Sequence, residues 1–440
     1  MSREQSQGNA AGLAGAAREA SRLDRAGPAP APLECILREV VERLAPIDRT
    51  PCSPGERDAA QWLLARRRQI PGVQARLEEE PSWGTFPPTA TALGLLGLLG
   101  AALALRGRRT AAALLAAGSL AGIVDEAQNG PRILRRLVRR RRTTLNLVAR
   151  VGERAGGWRA GAPRPIPTLV VLAHHDAPQT GFVFDQTIQR RIYELAPALL
   201  ERFRSPLPLW WIGLSGPLLT LATAATRRRE FARAALLTGA LGTAGVADVW
   251  RSPTVAGAND NLSGVAALVA LAEMLRERPV PGLRVLLVSC GAEETLQDGV
   301  RAFLARHREE LEPARTVFVN LDTVGSPHLT LLEGEGPVWM EDYAGPWLRE
   351  ALAACAERLE ISLRTGFRAR ASTDSVIPSR GGYPTATLVS MTDWYAPANY
   401  HLPSDIPANL EYDTVADATR LLYELARMHA RDGGPGAERI

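Results

Sequence analysis

PTLVVLAHHD, residues 167–176, runs an apolar stretch straight into two histidines and an aspartate. The stretch reads as a strand buried on both faces, and its polar end places chemistry at the edge of a sheet. The same pattern recurs downstream, where LRVLLVSC (283–290) runs into Gly291-Ala292-Glu293-Glu294 and TVFVNL (316–321) into Asp322. Another apolar run, TLNLVARV (144–151), reads as a strand without such an ending. Helical segments at 264–278 and 299–311 alternate with these runs, so the expected fold is α/β: a doubly wound, mostly parallel sheet flanked by helices. Ligands bind outside the carboxyl ends of strands in such sheets, so the three clusters should converge on one crevice.

Two further clusters join them. GANDNLSG (257–264) is a Gly-rich turn ahead of a helix, with Ser263 as the expected N-cap, and it carries Asp260 toward the same sheet edge. Tyr400-His401-Leu402-Pro403-Ser404-Asp405 forms a loop before the terminal helix. Together they offer imidazoles and carboxylates without a thiolate, a donor set that suits zinc, with manganese or cobalt as substitutes. Upstream, residues 33–45 and 53–68 read as amphipathic helices, the second capped by Ser53 with Pro54 at its first position, and VQARLEEE (73–80) alternates as a strand does.

Two pairs of uncharged segments interrupt this pattern. Residues 88–105 and 110–124 flank an arginine-rich turn at 106–109; residues 205–226 and 234–247 flank a second turn at 227–230. A bilayer span takes about 20 apolar residues, with roughly 17 as the lower end, so the first and third segments qualify and the others fall short. Trp83, Trp210, Trp211 and Trp250 all stand at the ends away from the turns, where an interfacial belt belongs. Glycines recur at 94, 97 and 100 and at 239, 242 and 245, spaced to let helices approach closely. Two inserted apolar hairpins in a membrane are therefore expected, against two soluble hairpins packed on each other. The ends opposite the turns carry the more numerous arginines, among them Arg132, Arg135, Arg136 and 139–142, so the soluble sheet domain is expected on the cytoplasmic side.

The 440-residue chain carries 52 basic residues, every one an arginine, against 47 acidic ones, for a net charge of +5. Without lysine there is no Walker-type phosphate loop, Schiff base or Ser-Lys dyad. With aromatics at only 5%, stacking platforms would be sparse, and no nucleic-acid partner is expected. The four cysteines are widely spaced and read as reduced thiols.

The ordered series H-x-D, G-A-x-D-N-x-S-G, G-A-E-E, N-L-D-x-V-G and Y-H-x-P-x-D resembles the co-catalytic zinc aminopeptidase family, metallopeptidase family twenty-eight, relatives of glutamate carboxypeptidase and glutaminyl cyclase. The resemblance covers residues 33–84, 143–178 and 253–431, with hairpin insertions at 85–142 and 179–252 and tails at 1–32, expected disordered, and 432–440. It implies two zinc ions: His174 and Asp322 hold one, Glu294 and His401 the other, and Asp260 bridges them. Asp176 orients the His174 imidazole. Glu293 is the general base, taking a proton from water and giving it to the leaving amine. Tyr400 and Asp374 are the candidate substrate-binding residues, with packing beside His401 as the alternative reading of Tyr400.

The implied activity is that of a membrane-anchored aminopeptidase acting on the N-terminal residues of peptides. A glutaminyl-cyclase-like acyltransferase, or an inactive binding module on the same scaffold, are the alternatives. Two positions depart from the family pattern. TLQDGV after Glu294 lacks the usual small residues, and Thr373-Asp374-Ser375 stands where relatives show Ser-Asp-His. His175 is expected on the pocket wall, and His307, His328 and His429 at the surface.

Overall fold

The computed structural model describes residues 33–152, 166–203, 205 and 208–432, so the tails expected at 1–32 and 432–440 lie, apart from Asp432, outside the described residues. The chain opens with α1 (Leu33–Leu44), α2 (Pro54–Arg68) and β1 (Gln74–Ser82), then the apolar α3 (Pro87–Leu105) and α4 (Arg109–Ala127), a short α5 (Ile133–Val138), β2 (Arg142–Gly152) and β3 (Thr168–His174). After β3 come α6 (Thr187–Leu195), α7 (Pro197–Phe203) and the second apolar pair, α8 (Trp210–Thr226) and α9 (Arg229–Arg251). The remainder is α10 (Ser263–Glu277), β4 (Arg284–Cys290), α11 (Asp298–His307), β5 (Thr316–Leu321), β6 (His328–Glu335), β7 (Glu341–Asp342), α12 (Trp347–Arg358), β8 (Arg364–Ala369), α13 (Val376–Arg380), β9 (Thr385–Met391) and α14 (Tyr412–Asp432).

One sheet carries all nine strands of the described residues in the order β1-β2-β4-β3-β5-β9-β6-β7, with β8 paired to β6. The central β4, β3, β5 and β9 run parallel, while β1, β2, β6 and β7 join antiparallel at the two sides. Every residue of β3, β5 and β9 is buried, as uninterrupted apolar runs require when helices cover both faces. The chain leaves β3 for β4 on one side and returns to β5 on the other. The reversal opens a crevice at the carboxyl end of β3. The larger core lies on one face, where Leu37, Val41, Leu268, Leu271, Leu421 and Leu425 pack α1, α10 and α14 onto the strands. On the other face Phe303 and Ile377 cover Val170, Leu286 and Phe318. Ser53 caps α2 as expected, accepting a 3.1 Å hydrogen bond from the Glu56 N–H.

The first insertion grows from a β-hairpin whose last paired residues are Ser82 and Arg142. A β-bridge between Gln179 and Thr254 closes the neck of the second. The two hairpins pack on each other as a four-helix bundle, α3 against α9 and α4 against α8. Small residues allow the close crossing of α8 and α9: a Cβ on Gly216 would stand 2.9 Å from the Cα of Gly239. Leu95, Leu99, Leu114, Leu218, Leu237 and Leu241 face outward and are exposed.

By length and composition two helices among the described residues, α3 and α4, are long and apolar enough to cross a membrane, and less than half of either is buried. The expected third span is different, because α8 starts only at Trp210 and has 17 residues. Conversely, α9 reaches 23 residues by running through Arg229, Glu230, Arg233 and Asp248. Uncharged runs and helices are bounded by different physics, since a helix needs only its own backbone bonds to continue past a charge. Two arginines at the ends opposite the turns are also taken up by the protein. Arg132 pairs with Asp298 and Arg135 with Glu126, all four buried. Gln128 ties the end of α4 to the sheet domain through the Trp339 carbonyl at 3.0 Å and Glu341 at 2.7 Å.

Candidate metal centre

His174 is the last residue of β3 and Asp176 follows it; Gly291 to Glu294 follow β4 and Asp322 follows β5. Parallel register sets His174 beside Cys290, so adjacent strands deliver their clusters at the same height. At the centre stands Asp260. One of its oxygens lies 3.2 Å from His174 Nε2 and the other 3.1 Å from His401 Nε2. Glu294 Oε1 is 3.6 Å from His401 Nε2, and Glu293 Oε2 is 4.0 Å from His174 Nε2. Asp176 Oδ1 stands 3.5 Å from His174 Nδ1, on the far side of the ring from Asp260.

The motif residues between these groups hold the loops in place. The Asp176 carboxylate accepts the backbone N–H of Glu293 at 3.1 Å and of Glu294 at 2.9 Å, joining the β3 and β4 ends. Asp405 accepts the N–H of Asn259 at 2.7 Å and of Asp260 at 3.1 Å. Asn259 in turn accepts from Gly325 N at 2.8 Å and donates to the Ala398 carbonyl at 3.1 Å. Ser263 is no helix cap: its hydroxyl donates to Asn259 O at 2.7 Å and accepts from Val324 N at 3.1 Å. Asn261 instead accepts from Gly264 N at 3.3 Å and Thr323 N at 3.1 Å, covering the helix start and the β5 loop at once. Ala292, Thr323 and His401 adopt φ of 53, 51 and 55°. A non-glycine residue pays about 1–3 kcal/mol for that region, and it falls here on three site-bearing loops.

The electrostatics are lopsided. Asp176, Asp260, Glu293, Asp322, Asp374 and His401 are buried, and Glu294 nearly so. Burial, then the Asp374, Asp322 and Asp176 carboxylates, push Glu293 well above the usual carboxylate range against the pull of His174. Burial and then Asp260 and Glu293 do the same to Glu294. Asp322 is raised to about 7 by burial and Asp260, and Asp374 to about 7 mainly by burial. Asp260 alone moves down: burial opposes its charge, but hydrogen bonds with His174 and His401 prevail. Two imidazoles cannot balance so many carboxylates.

Divalent cations fit that surplus. The ligand atoms of His174, Asp260 and Glu294 all lie within 4.8 Å of one another, a nitrogen-and-oxygen set suited to zinc. His401 presents Nε2 to Asp260, and its buried Nδ1 has no partner.

Other expected residues fall into place or move. Tyr400 stacks on the His401 ring at 4.0 Å between centroids. Asp374 is buried and close enough to Glu293 and Asp322 for its carboxylate to raise both. His175 is fully buried, its Nδ1 3.0 Å from Ser289 Oγ, and so lies in the protein interior and not on the pocket wall. His307 and His429 are buried as well, His307 against Glu78 at 2.9 Å, because both helices turn those positions inward; His328 is half-exposed.

Four contributors escaped the motif reading. Arg49, fully buried, donates to the His175 carbonyl at 2.9 Å and the Ala256 carbonyl at 2.7 Å, clamping the His174 and Asp260 segments. Glu56, raised to about 8 by burial and Asp176, accepts from Ala292 N at 2.8 Å and holds the turn before Glu293. Gln297, within the departing TLQDGV segment, donates to Glu293 Oε1 at 2.5 Å and to Ser372 O at 3.0 Å. Phe184, from the second insertion, stacks 4.2 Å from the His401 ring. The departure after Glu294 was the one available signal, since nothing marks a particular arginine or phenylalanine in an insertion.

Residues 237–426 match the model of peptidase family M28. No curated protein matches the chain in sequence. Among solved structures, a leucine aminopeptidase precursor from Bacteroides thetaiotaomicron is similar at 12% identity and a TM-score of 0.50, over 90% of this chain and 96% of that one. A glutaminyl cyclase from an Acidobacteriales bacterium gives 12% identity and 0.50 over 92% and 99%. LapB from Legionella pneumophila gives 12% and 0.50 over 89% and 70%. At such identity these likenesses speak for the fold. The matched segment, less than half of the chain, contains Asp260, Glu293, Glu294, Asp322, Asp374 and His401.

Proposed function

We propose that the protein is a membrane-anchored metallo-aminopeptidase with two zinc ions. The observation that carries this reading is the Asp260 carboxylate, set with one oxygen toward His174 and the other toward His401. His174 and Asp322 would hold one ion, Glu294 and His401 the second, with Asp260 shared. Bound there, the ions would polarise the scissile carbonyl, lower the pKa of a water and stabilise charge developing on oxygen.

The chain's own residues supply the rest. Asp176 fixes the orientation of His174 and, through the two N–H groups it accepts, the direction of the Glu293 and Glu294 side chains. Glu293 is held by Gln297 at one oxygen, leaving Oε2 on the His174 side to accept a proton from water. The acyl carbon gains the water oxygen and loses the amine, and Glu293 returns the proton to that amine. The outward leucines of the bundle support its placement in lipid, with the turn arginines at the far end.

The test is metal analysis of the detergent-purified protein together with aminoacyl-chromogenic substrates, comparing wild type with Glu293→Ala. Two zinc per chain, chelator-sensitive release and loss of about 100-fold or more in the variant are expected. No bound metal, or full activity in Glu293→Ala, would overturn the reading. Release of cyclised product from glutamine-leading peptides, without hydrolysis, would favour the cyclase.

A further inference from the structure

The cleft beside Glu294 and His401 is walled by the bundle as well as by the sheet. Thr85, Phe86 and Pro87 line it together with Val249 and Phe184. Pro87 is the first residue of α3, and Val249 stands two residues before α9 ends. The candidate site therefore borders the level at which the apolar helices begin. In a spanning helix that level is the lipid–water boundary.

The side chains around the same level have the chemistry of that boundary. Trp210 packs on Phe86 at 5.4 Å, and Trp250, exposed, is the penultimate residue of α9. The guanidinium of Arg136 lies over Trp83 at 4.7 Å and that of Arg370 over Trp211 at 5.4 Å. Indoles and arginines seat where one end of a side chain is apolar and the other wet. Phe182, exposed, sits against the end of α9, its backbone N–H donating to Asp248 at 2.8 Å.

We propose that the cleft takes the free N-terminus of a peptide held at the membrane surface, since its wall is built from the bundle ends that enter the bilayer. This rests on the aminopeptidase reading above. A membrane-anchored substrate with its N-terminus close to the bilayer reaches the site directly. One whose N-terminus is carried far from the surface gains nothing from its anchor.

The test uses the full chain in nanodiscs with peptides that share one N-terminal sequence and one transmembrane anchor, joined by Gly-Ser spacers of about 3, 10 and 30 residues. Such spacers reach roughly 10 to 30 Å, and effective concentration at a nearby site falls as about the −3/2 power of spacer length. The shortest spacer is expected to give the highest rate, roughly tenfold or more above the longest. A shortest-spacer peptide that resists cleavage while longer ones are cut, or a rate independent of spacer, overturns the inference. A soluble aminoacyl-chromogenic substrate run in the same discs separates the two ideas: its hydrolysis alongside either of those results leaves the aminopeptidase reading standing. No hydrolysis of any substrate removes that reading and the inference with it.

Discussion

Replacing Arg49 by lysine isolates the geometric part of its role. The guanidinium is fully buried and donates five hydrogen bonds to carbonyls: Nε to His175 at 2.9 Å, Nη1 to Leu44 at 2.7 Å and Ile47 at 3.1 Å, Nη2 to Ala256 at 2.7 Å and Gly257 at 3.4 Å. Burial lowers its pKa to about 10 against the pull of Asp405, Asp176, Asp48 and Asp260, so it remains charged at neutral pH. Lysine keeps that charge, but its single nitrogen carries three N–H groups on one point and at least two carbonyls lose their donor. Hydrogen bonds to charged groups contribute about 1.5–3 kcal/mol each, so Arg49→Lys should cost on the order of 3 kcal/mol after local relaxation. For a domain of this size that is a fall of roughly 6–12 °C in the melting temperature, read by thermal unfolding in detergent. Activity at 20 °C should drop about tenfold or more, because the orphaned carbonyls belong to the segments carrying His174 and Asp260 and small displacements of reacting groups are expensive. A melting temperature within about 1 °C of wild type would refute the clamp, given bonds of that strength.

Two further outcomes rest on separate observations. Gln297→Ala should lower kcat about 10- to 100-fold with the zinc content unchanged, since the bond it removes holds the Glu293 carboxylate and no proposed ligand; a loss of metal in this variant would contradict that role. Glu78 is buried, which raises its pKa, but His307 at 2.9 Å and Arg76 at 2.7 Å bring it below its ordinary value. A carboxylate depressed in the folded state stabilises above its unfolded pKa and loses that contribution as pH falls through the folded one. Between pH 6 and pH 3 the melting temperature of wild type should therefore fall more steeply than that of Glu78→Gln, and equal slopes would contradict the pairing.

Much of the site was legible because its chemistry sits at strand ends. β3, β4 and β5 each announce themselves as apolar runs, and the residue after each run is placed by the fold's own topology. His174, Glu293, Glu294 and Asp322 follow from that logic, and Asp260 and His401 from short loops of distinctive composition. The supporting residues were not legible in this way. Arg49 and Glu56 lie on the N-terminal segments, more than a hundred residues from the motifs they brace, and a charged residue there reads as surface until burial is known. The burial of His307 and His429 is illegible for the same reason, since the direction a helical side chain faces depends on what the helix packs against.

The sequence by itself determined the α/β alternation, the order of the five motifs and the presence of two apolar hairpins, because strand-long apolar runs and turn residues act through local periodicity. Only the tertiary structure decided that the hairpins join into one four-helix bundle, that α8 is shorter and α9 longer than their uncharged runs, and that Phe86, Pro87, Val249 and Phe184 wall the cleft beside His401. Those are contacts between segments far apart in the chain. They arise from burying surface between elements, which no local pattern encodes.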